Sequence, residues 1–305
     1  MSERVIITGV CGFLGRHLCD YLARLPDRPE LIGVDVAATP PAHCDAFHQM
    51  DLSLATDVAE RIKAIQPDVI IHLAGTFGEA DPLETYRVSV FSLAVLLEAA
   101  RLYVPGVVVV ATGSAAEYGR VAPEQLPVTE QTPCRPLTPY GLSKQLATEI
   151  ALYYHRVYRV CAMVVRPFQL LGKGITARLA PGAFAEELKR ARATGSGVIQ
   201  VGNLESSRDF LDVRDAAEAI WRLCRKPAGG EVFNLCSGRP TRMAELLQAM
   251  IACCGIEVRI EVDRARLRGE ADVSVIYGSY AKLNAHCGWQ PRTDLDRSIK
   301  DTACG

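Results

Sequence analysis

The sequence predicts an α/β fold, a doubly wound parallel sheet with a smaller C-terminal α/β lobe. Three observations carry that expectation. Short apolar runs alternate with stretches of helical periodicity over residues 1–170. Three glycines at three-residue spacing run from the end of the first apolar run into the start of the first helical stretch. After Arg166-Pro167 the alternation gives way to a glycine-rich segment. A strand–helix alternation of this kind builds parallel strands joined by right-handed crossovers, with helices on both faces.

The first strand is expected over 5–8 and the first helix over 13–25. Further strands are expected at 31–34, 69–73, 107–112 and 162–165, mostly apolar and partly β-branched. Between them, 55–65, 82–103 and 140–158 carry apolar residues at helical spacing. The second part holds a helix at 182–193, a strand–helix unit at 209–213 and 216–224, and a strand at 232–235. A helix at 243–253, a strand at 258–262 and short helices at 280–286 and 295–302 complete it. The expected division is therefore 1–170 and 171–305, with segments near 209–236 returning to the first unit.

The chain has 305 residues, 49% hydrophobic and 23% charged, with a formal net charge of −1. That balance describes a folded globular protein. It gives no electrostatic basis for binding nucleic acid or an anionic membrane. No apolar run reaches 18 residues, the length a membrane helix needs. A strand from residue 5 leaves no room for a signal peptide, so a cytoplasmic protein is expected. The eleven cysteines include no Cys-x-x-Cys pair, and the six histidines include no His-Glu-x-x-His. Neither a disulfide framework nor a metal site is expected, and most cysteines read as small buried apolar residues.

The glycines of Gly9-Val10-Cys11-Gly12-Phe13-Leu14-Gly15 follow the apolar run Val5-Ile6-Ile7. In that context they allow a tight turn, close backbone approach to a pyrophosphate, and close packing of helix on strand. The helix start at Phe13 and Leu14 points N–H groups at the anion. These features describe a Rossmann-type dinucleotide site. Asp35 closes the second strand, 20 residues past Gly15, where a carboxylate accepts hydrogen bonds from the adenosine ribose. It would repel a 2′-phosphate, and Val36, Ala37 and Ala38 follow it rather than an arginine. NAD is therefore expected over NADP. By position, Asp51 and Leu52 fall at the adenine edge, and Leu73, Ala74 and Gly75 along the cofactor groove.

Tyr140 and Lys144, in Tyr140-Gly141-Leu142-Ser143-Lys144, lie one helical turn apart on one face. An ammonium beside a phenol stabilises phenolate and lowers its pKa from about 10. Such a tyrosine can exchange a proton with an alcohol or ketone during hydride transfer. Ser114 stands just past the strand expected at 107–112 and can donate a hydrogen bond to the same oxygen.

On these motifs the chain resembles the extended short-chain dehydrogenases/reductases, specifically the NAD-dependent epimerase/dehydratase group acting on nucleotide sugars. The resemblance implies Ser114, Tyr140 and Lys144 as the catalytic triad, with Tyr140 as acid/base and Lys144 also bonded to the nicotinamide ribose. It places Pro167, in Arg166-Pro167-Phe168, beside the nicotinamide. Gln169 and Ser89 stand where the family usually carries asparagine.

Dehydratases of the family carry a carboxylate next to the catalytic Ser or Thr, where this chain has Ala115 and Ala116. Glu117 follows, and on an extended segment it should point elsewhere. Hydride chemistry without elimination is what remains. The segment 201–215, together with Asn234-Leu235-Cys236-Ser237-Gly238-Arg239 and Ala265-Arg266-Leu267-Arg268, is similar to the GDP-4-keto-6-deoxymannose reductases. That similarity implies Arg208 and Arg268 as ligands of the nucleotide diphosphate. The expected reaction is reduction of a 4-keto sugar nucleotide. The alternatives are a 4-epimerase with tightly bound NAD and, further off, a catalytically silent dinucleotide-binding protein. By analogy with the family, the long helices at 82–103 and 140–158 are expected to pair two subunits as a homodimer.

Overall fold

A computed structural model describes residues 3–76, 81–195, 197–266 and 273–305. The chain begins with β1 (Arg4–Thr8), α1 (Phe13–Leu22), β2 (Glu30–Asp35), β3 (Ala46–Gln49), α2 (Ala55–Ile65) and β4 (Val69–His72). Next come α3 (Pro82–Tyr86), a π-helical turn (Arg87–Phe91), α4 (Ser92–Tyr103), β5 (Val108–Thr112), α5 (Pro139–Tyr158) and β6 (Cys161–Pro167). The remainder is β7 (Gln169–Leu171), α6 (Ala180–Thr194), β8 (Val198–Val201), β9 (Ser207–Asp212), α7 (Val213–Arg225) and β10 (Val232–Leu235). It continues through β11 (Pro240–Arg242), α8 (Met243–Cys254), β12 (Arg259–Val262), β13 (Val275–Ile276), α9 (Ala281–Cys287) and α10 (Leu295–Cys304).

Seven strands form one sheet in the order β10-β6-β5-β4-β1-β2-β3, and every pairing in it is parallel. The order reverses at β1, so the carboxyl ends of β1 and β4 flank a crevice, the place where such sheets bind ligands. Alternation along β1 sends Val5 and Ile7 to one layer and Ile6 to the other. The first layer packs Leu18 and Leu22 of α1 with Ala216 and Ile220 of α7. The second gathers Val58 and Ile62 of α2, Leu93 and Leu96 of α4, and Ala147 and Ala151 of α5. With both faces covered, the central strands are apolar at nearly every position, as parallel sheets require.

The smaller lobe has its own core of Phe184, Leu188, Ile199, Leu246, Met250 and Ile299. Its β9 pairs with β7 and β13 in parallel and with β11 antiparallel, while β8 pairs with β12. Of the stretch 209–236, α7 and β10 pack with the main sheet, whereas β9 joins the smaller one.

Several features depart from the sequence expectations, among them the short strands β7, β8, β11 and β13, none of which is expected from the sequence. The edge strand β3 was not expected, because Ala-Phe-His-Gln carries no alternation and becomes a strand only by pairing with β2. The helix expected over 82–103 is interrupted by the π turn, with buried Ser89 inside it. Of the cysteines, only Cys19, Cys224 and Cys236 are buried, so most are not core residues; Cys253 and Cys304 are exposed. No helix among the described residues is long and apolar enough to cross a membrane.

Candidate active site

A cleft of about 1520 Å³ runs along the carboxyl edge of the main sheet and under the smaller lobe. Gly9, Gly12, Phe13, Leu14 and Gly15 line one end, with Asp35, Asp51 and Leu52 beside them. Leu73, Ala74 and Gly75 line the middle, and Ser114, Tyr140, Lys144 and Pro167 follow. Gln169 and Arg208 reach the same cleft from the smaller lobe. Arg268 lies outside the described residues. Residues more than 100 positions apart in sequence thus face one volume.

The glycine loop is built for close approach. Gly9 has φ +66°, and a Cβ there would lie 2.7 Å from the backbone N of Ala74. A Cβ at Gly15 would lie 2.6 Å from the Gly9 carbonyl oxygen. The helix α1 starts at Gly12 with no side-chain cap and no acidic residue in its first turn. Its first N–H groups therefore offer positive potential, with no carboxylate from the helix's own first turn to cancel it. This cradle suits a dinucleotide pyrophosphate.

Asp35 accepts from the Cys11 N–H at 2.9 Å and from the Ala37 N–H at 3.0 Å, so its carboxylate braces the glycine loop. Asp51 is more heavily committed. Its Oδ1 accepts from the N–H and hydroxyl of Ser53, and its Oδ2 pairs with Arg87 at 2.9 Å. These bonds, the Ser53 N–H first, hold its carboxyl below the usual range.

At the other end, Thr138 caps α5 by accepting from the Gly141 N–H at 3.1 Å, and Pro139 occupies the first helical position. That start presents Tyr140, and Lys144 one turn on. Lys144 is 5% exposed, and its Nζ donates to the Thr112 carbonyl at 3.0 Å. Burial pulls its pKa down to about 8. Tyr140 keeps part of its surface open, yet loss of solvent around the phenol pushes it up to about 12, opposed by a hydrogen bond with Ser114. The expected lowering of the phenol by Lys144 is therefore corrected for the protein alone. The Lys144 Nζ sits 6.0 Å from the Tyr140 ring centroid and donates to the Thr112 carbonyl, so loss of solvent, not the ammonium, sets the direction for the phenol.

The surroundings of several residues around the site are not legible in the sequence. Glu117 is fully buried, but it lies in a 3₁₀ turn rather than on the extended segment assumed for it. It does not line the cleft. His72, at the end of β4, is 2% exposed, and its Nδ1 lies 2.9 Å from the Thr8 Oγ1. Its Nε2 and the Ser89 hydroxyl are buried without hydrogen-bond partners. Gly75 packs between Lys144 and Ser89, since a Cβ there would lie 3.0 Å from the Lys144 Nζ and 3.6 Å from the Ser89 Oγ. Arg178, exposed in the glycine-rich segment, also lines the cleft. Of these, His72 and Arg178 carry no sequence signal, and for Glu117 and Ser89 the sequence gives the position but not the burial, because a lone side chain carries no sign of what will cover it.

Among the described residues no cluster of His, Cys, Asp and Glu could hold a metal ion. Residues 5–236 match the family model described as NAD dependent epimerase/dehydratase family. A GDP-6-deoxy-D-mannose reductase of Pseudomonas aeruginosa is 32% identical over 307 residues, spanning 98% of this chain and 96% of that protein. Among solved structures, RMD from Pseudomonas aeruginosa complexed with NADPH superposes with TM-score 0.85 at 27% identity, covering 99% of this chain and 96% of that one. A Thermus thermophilus UDP-glucose 4-epimerase in complex with NAD superposes with TM-score 0.86 at 26% identity, covering 99% and 98%.

Proposed function

We propose, from the premise that this chain belongs to the NAD-dependent epimerase/dehydratase family, that it reduces the 4-keto group of a nucleotide-activated deoxy sugar. As a member it is an NAD(P)-dependent enzyme that modifies nucleotide sugars. The finer reading takes GDP as the nucleotide and NADH as the reductant. The observation that carries it is the convergence of Ser114, Tyr140 and Lys144 in one cleft with the glycine cradle.

In this reading Gly9, Gly12, Gly15 and the start of α1 hold the pyrophosphate, and Asp35 receives the adenosine ribose. Bound there, a nicotinamide dinucleotide supplies the hydride. Tyr140, with its phenol pushed up to about 12, is protonated at neutral pH and donates its proton to the ketone oxygen. Ser114, lining the cleft beside Tyr140, turns its single hydroxyl proton to the same oxygen as a hydrogen-bond donor. Lys144, charged below about pH 8, stabilises the phenolate left behind. Ala115 and Ala116 have no group to drive an elimination. Gln169 and Arg208, from the smaller lobe, face the substrate, and Arg208 takes the diphosphate.

A neutral phenol favours the direction that begins by giving a proton. A 4-epimerase begins by taking one, and its support here is Asp35 without a following arginine, which suits retained NAD. The deciding experiment mixes the protein with GDP-4-keto-6-deoxymannose and NADH, then NADPH, and follows nicotinamide absorbance. Stoichiometric loss of reduced cofactor supports the reductase. No loss, with NAD carried through purification, supports the epimerase.

We also infer a homodimer formed through α4 and α5. Leu142, Leu146, Tyr153 and Val157 recur along one face of α5 and stay exposed, as do Phe91 at the end of the π turn and Leu102 of α4. That apolar face suits an isologous contact. Light scattering should give twice the 33.2 kDa chain mass, and Leu146→Glu should halve it.

A further inference from the structure

The fully buried Glu117 has no access to the cleft, yet it binds three separate parts of the fold. Its Oε1 accepts from the Ser114 N–H at 2.8 Å. The Thr148 hydroxyl donates to both carboxylate oxygens, at 3.2 and 3.1 Å. Arg166 of β6 donates through Nε to Oε2 at 2.8 Å. Arg166 in turn bonds the Tyr118 hydroxyl at 3.2 Å, and that hydroxyl donates to Asn234 Oδ1 of β10 at 2.6 Å.

We propose that Glu117, Thr148 and Arg166 are positioning residues, a buried clamp that sets the Ser114 hydroxyl against Tyr140. The placement of Thr148 is the main reason. It follows Lys144 by one turn and Tyr140 by two on α5, so the three side chains rise along one helix face. Glu117 closes the turn that Ser114 opens, each capping the other's backbone. The carboxylate thereby joins the end of β5 to the helix carrying the proton donor. Gly113 makes room for it, since a Cβ there would lie 2.2 Å from Glu117 Oε1 and 3.2 Å from Thr148 Oγ1. A buried carboxylate costs free energy unless paired, so Arg166 is what permits a charge at this depth. Burial raises the Glu117 carboxyl, and Arg166 opposes that rise.

The clamp rests on the reading of Ser114 and Tyr140 as the reacting pair, and its test separates the two. Thr148→Val keeps shape and removes one hydroxyl; Glu117→Gln leaves Arg166 unpaired and endangers folding. Turnover of GDP-4-keto-6-deoxymannose with NADH is compared in wild type, Ser114→Ala, Thr148→Val, Thr148→Ser and the Ser114→Ala/Thr148→Val double variant. Thr148→Val should lower kcat about 10-fold with KM unchanged, as misplaced catalytic groups do. Thr148→Ser should restore it, and the double variant should be no slower than Ser114→Ala alone. Independently of turnover, hydrogen exchange at the Ser114 amide should quicken in Thr148→Val while the β5 amides keep their rates. Native kcat with native exchange in Thr148→Val, or fully additive losses, overturns the clamp. Full activity in Ser114→Ala refutes the triad itself, a result distinct from a slow Ser114→Ala beside an unaffected Thr148→Val.

Discussion

Asp35 Oδ2 accepts a hydrogen bond from the backbone N–H of Cys11 at 2.9 Å, tying the end of β2 to the middle of the glycine loop. The carboxylate proposed to receive a ribose is therefore also a support for the loop proposed to receive the pyrophosphate. Its second oxygen accepts from the Ala37 N–H. Each oxygen retains acceptor capacity, since a carboxylate offers about four lone-pair sites.

Replacing Asp35 should accordingly change cofactor choice and loop order together. Asp35→Ser is expected to weaken NADH by about 10-fold, the scale of one or two charge-assisted hydrogen bonds, and to affect NADPH less. Cofactor titrations followed by fluorescence measure both constants. An unchanged ratio of NADH to NADPH affinity would remove Asp35 from the ribose site.

Tyr140→Phe keeps the ring and its packing and loses the transferable proton. Turnover should drop by about 10²–10⁴-fold, the usual worth of a positioned acid, with NADH affinity intact. Wild-type-like activity in this variant would falsify the assignment of Tyr140.

The alkaline side of the rate profile should belong to Lys144. Its folded pKa is lowered to about 8, so it is charged below that pH and neutral above it. Tyr140, near 12, stays protonated throughout. The kcat/KM for ketone reduction should be level from about pH 6 to about 7.5, then fall about tenfold per unit above about 8. A profile level to about pH 10 would mean that the charge on Lys144 does not matter.

His72 should contribute to acid sensitivity. Burial lowers its pKa to about 3, with the Lys144 charge acting in the same direction. An unfolded histidine titrates near 6.5, so between that pH and about 3 the unfolded chain binds one proton more than the folded one. Stability is therefore lost as pH falls through this window, at about 1.4 kcal/mol per unit from this group. Urea denaturation at about pH 6.5, 5.5 and 4.5 should show a shallower loss for His72→Gln than for wild type. Parallel slopes would show that His72 is not the group responsible.

Features that depend on neighbours in the chain are legible in the sequence itself. A glycine run after a strand, a carboxylate 20 residues on, and a Tyr and Lys one helical turn apart follow from strand and helix periods, which are local. They place Gly9, Asp35, Tyr140 and Lys144 on the right elements. Features that depend on what packs against a residue are not legible in this way. Glu117 is expected to point away on an extended segment, and it does leave the cleft. It does so by turning back through a 3₁₀ turn into a core that only β6 and α5 complete. The phenol of Tyr140 is expected to be lowered by Lys144, and desolvation by the assembled cleft raises it instead. The π turn around Ser89 and the departure of β9 to the smaller sheet likewise lack a local signature. Backbone period is written in adjacent side chains, whereas burial, and with it pKa and charge pairing, is set by residues distant in sequence that meet only when the chain is folded.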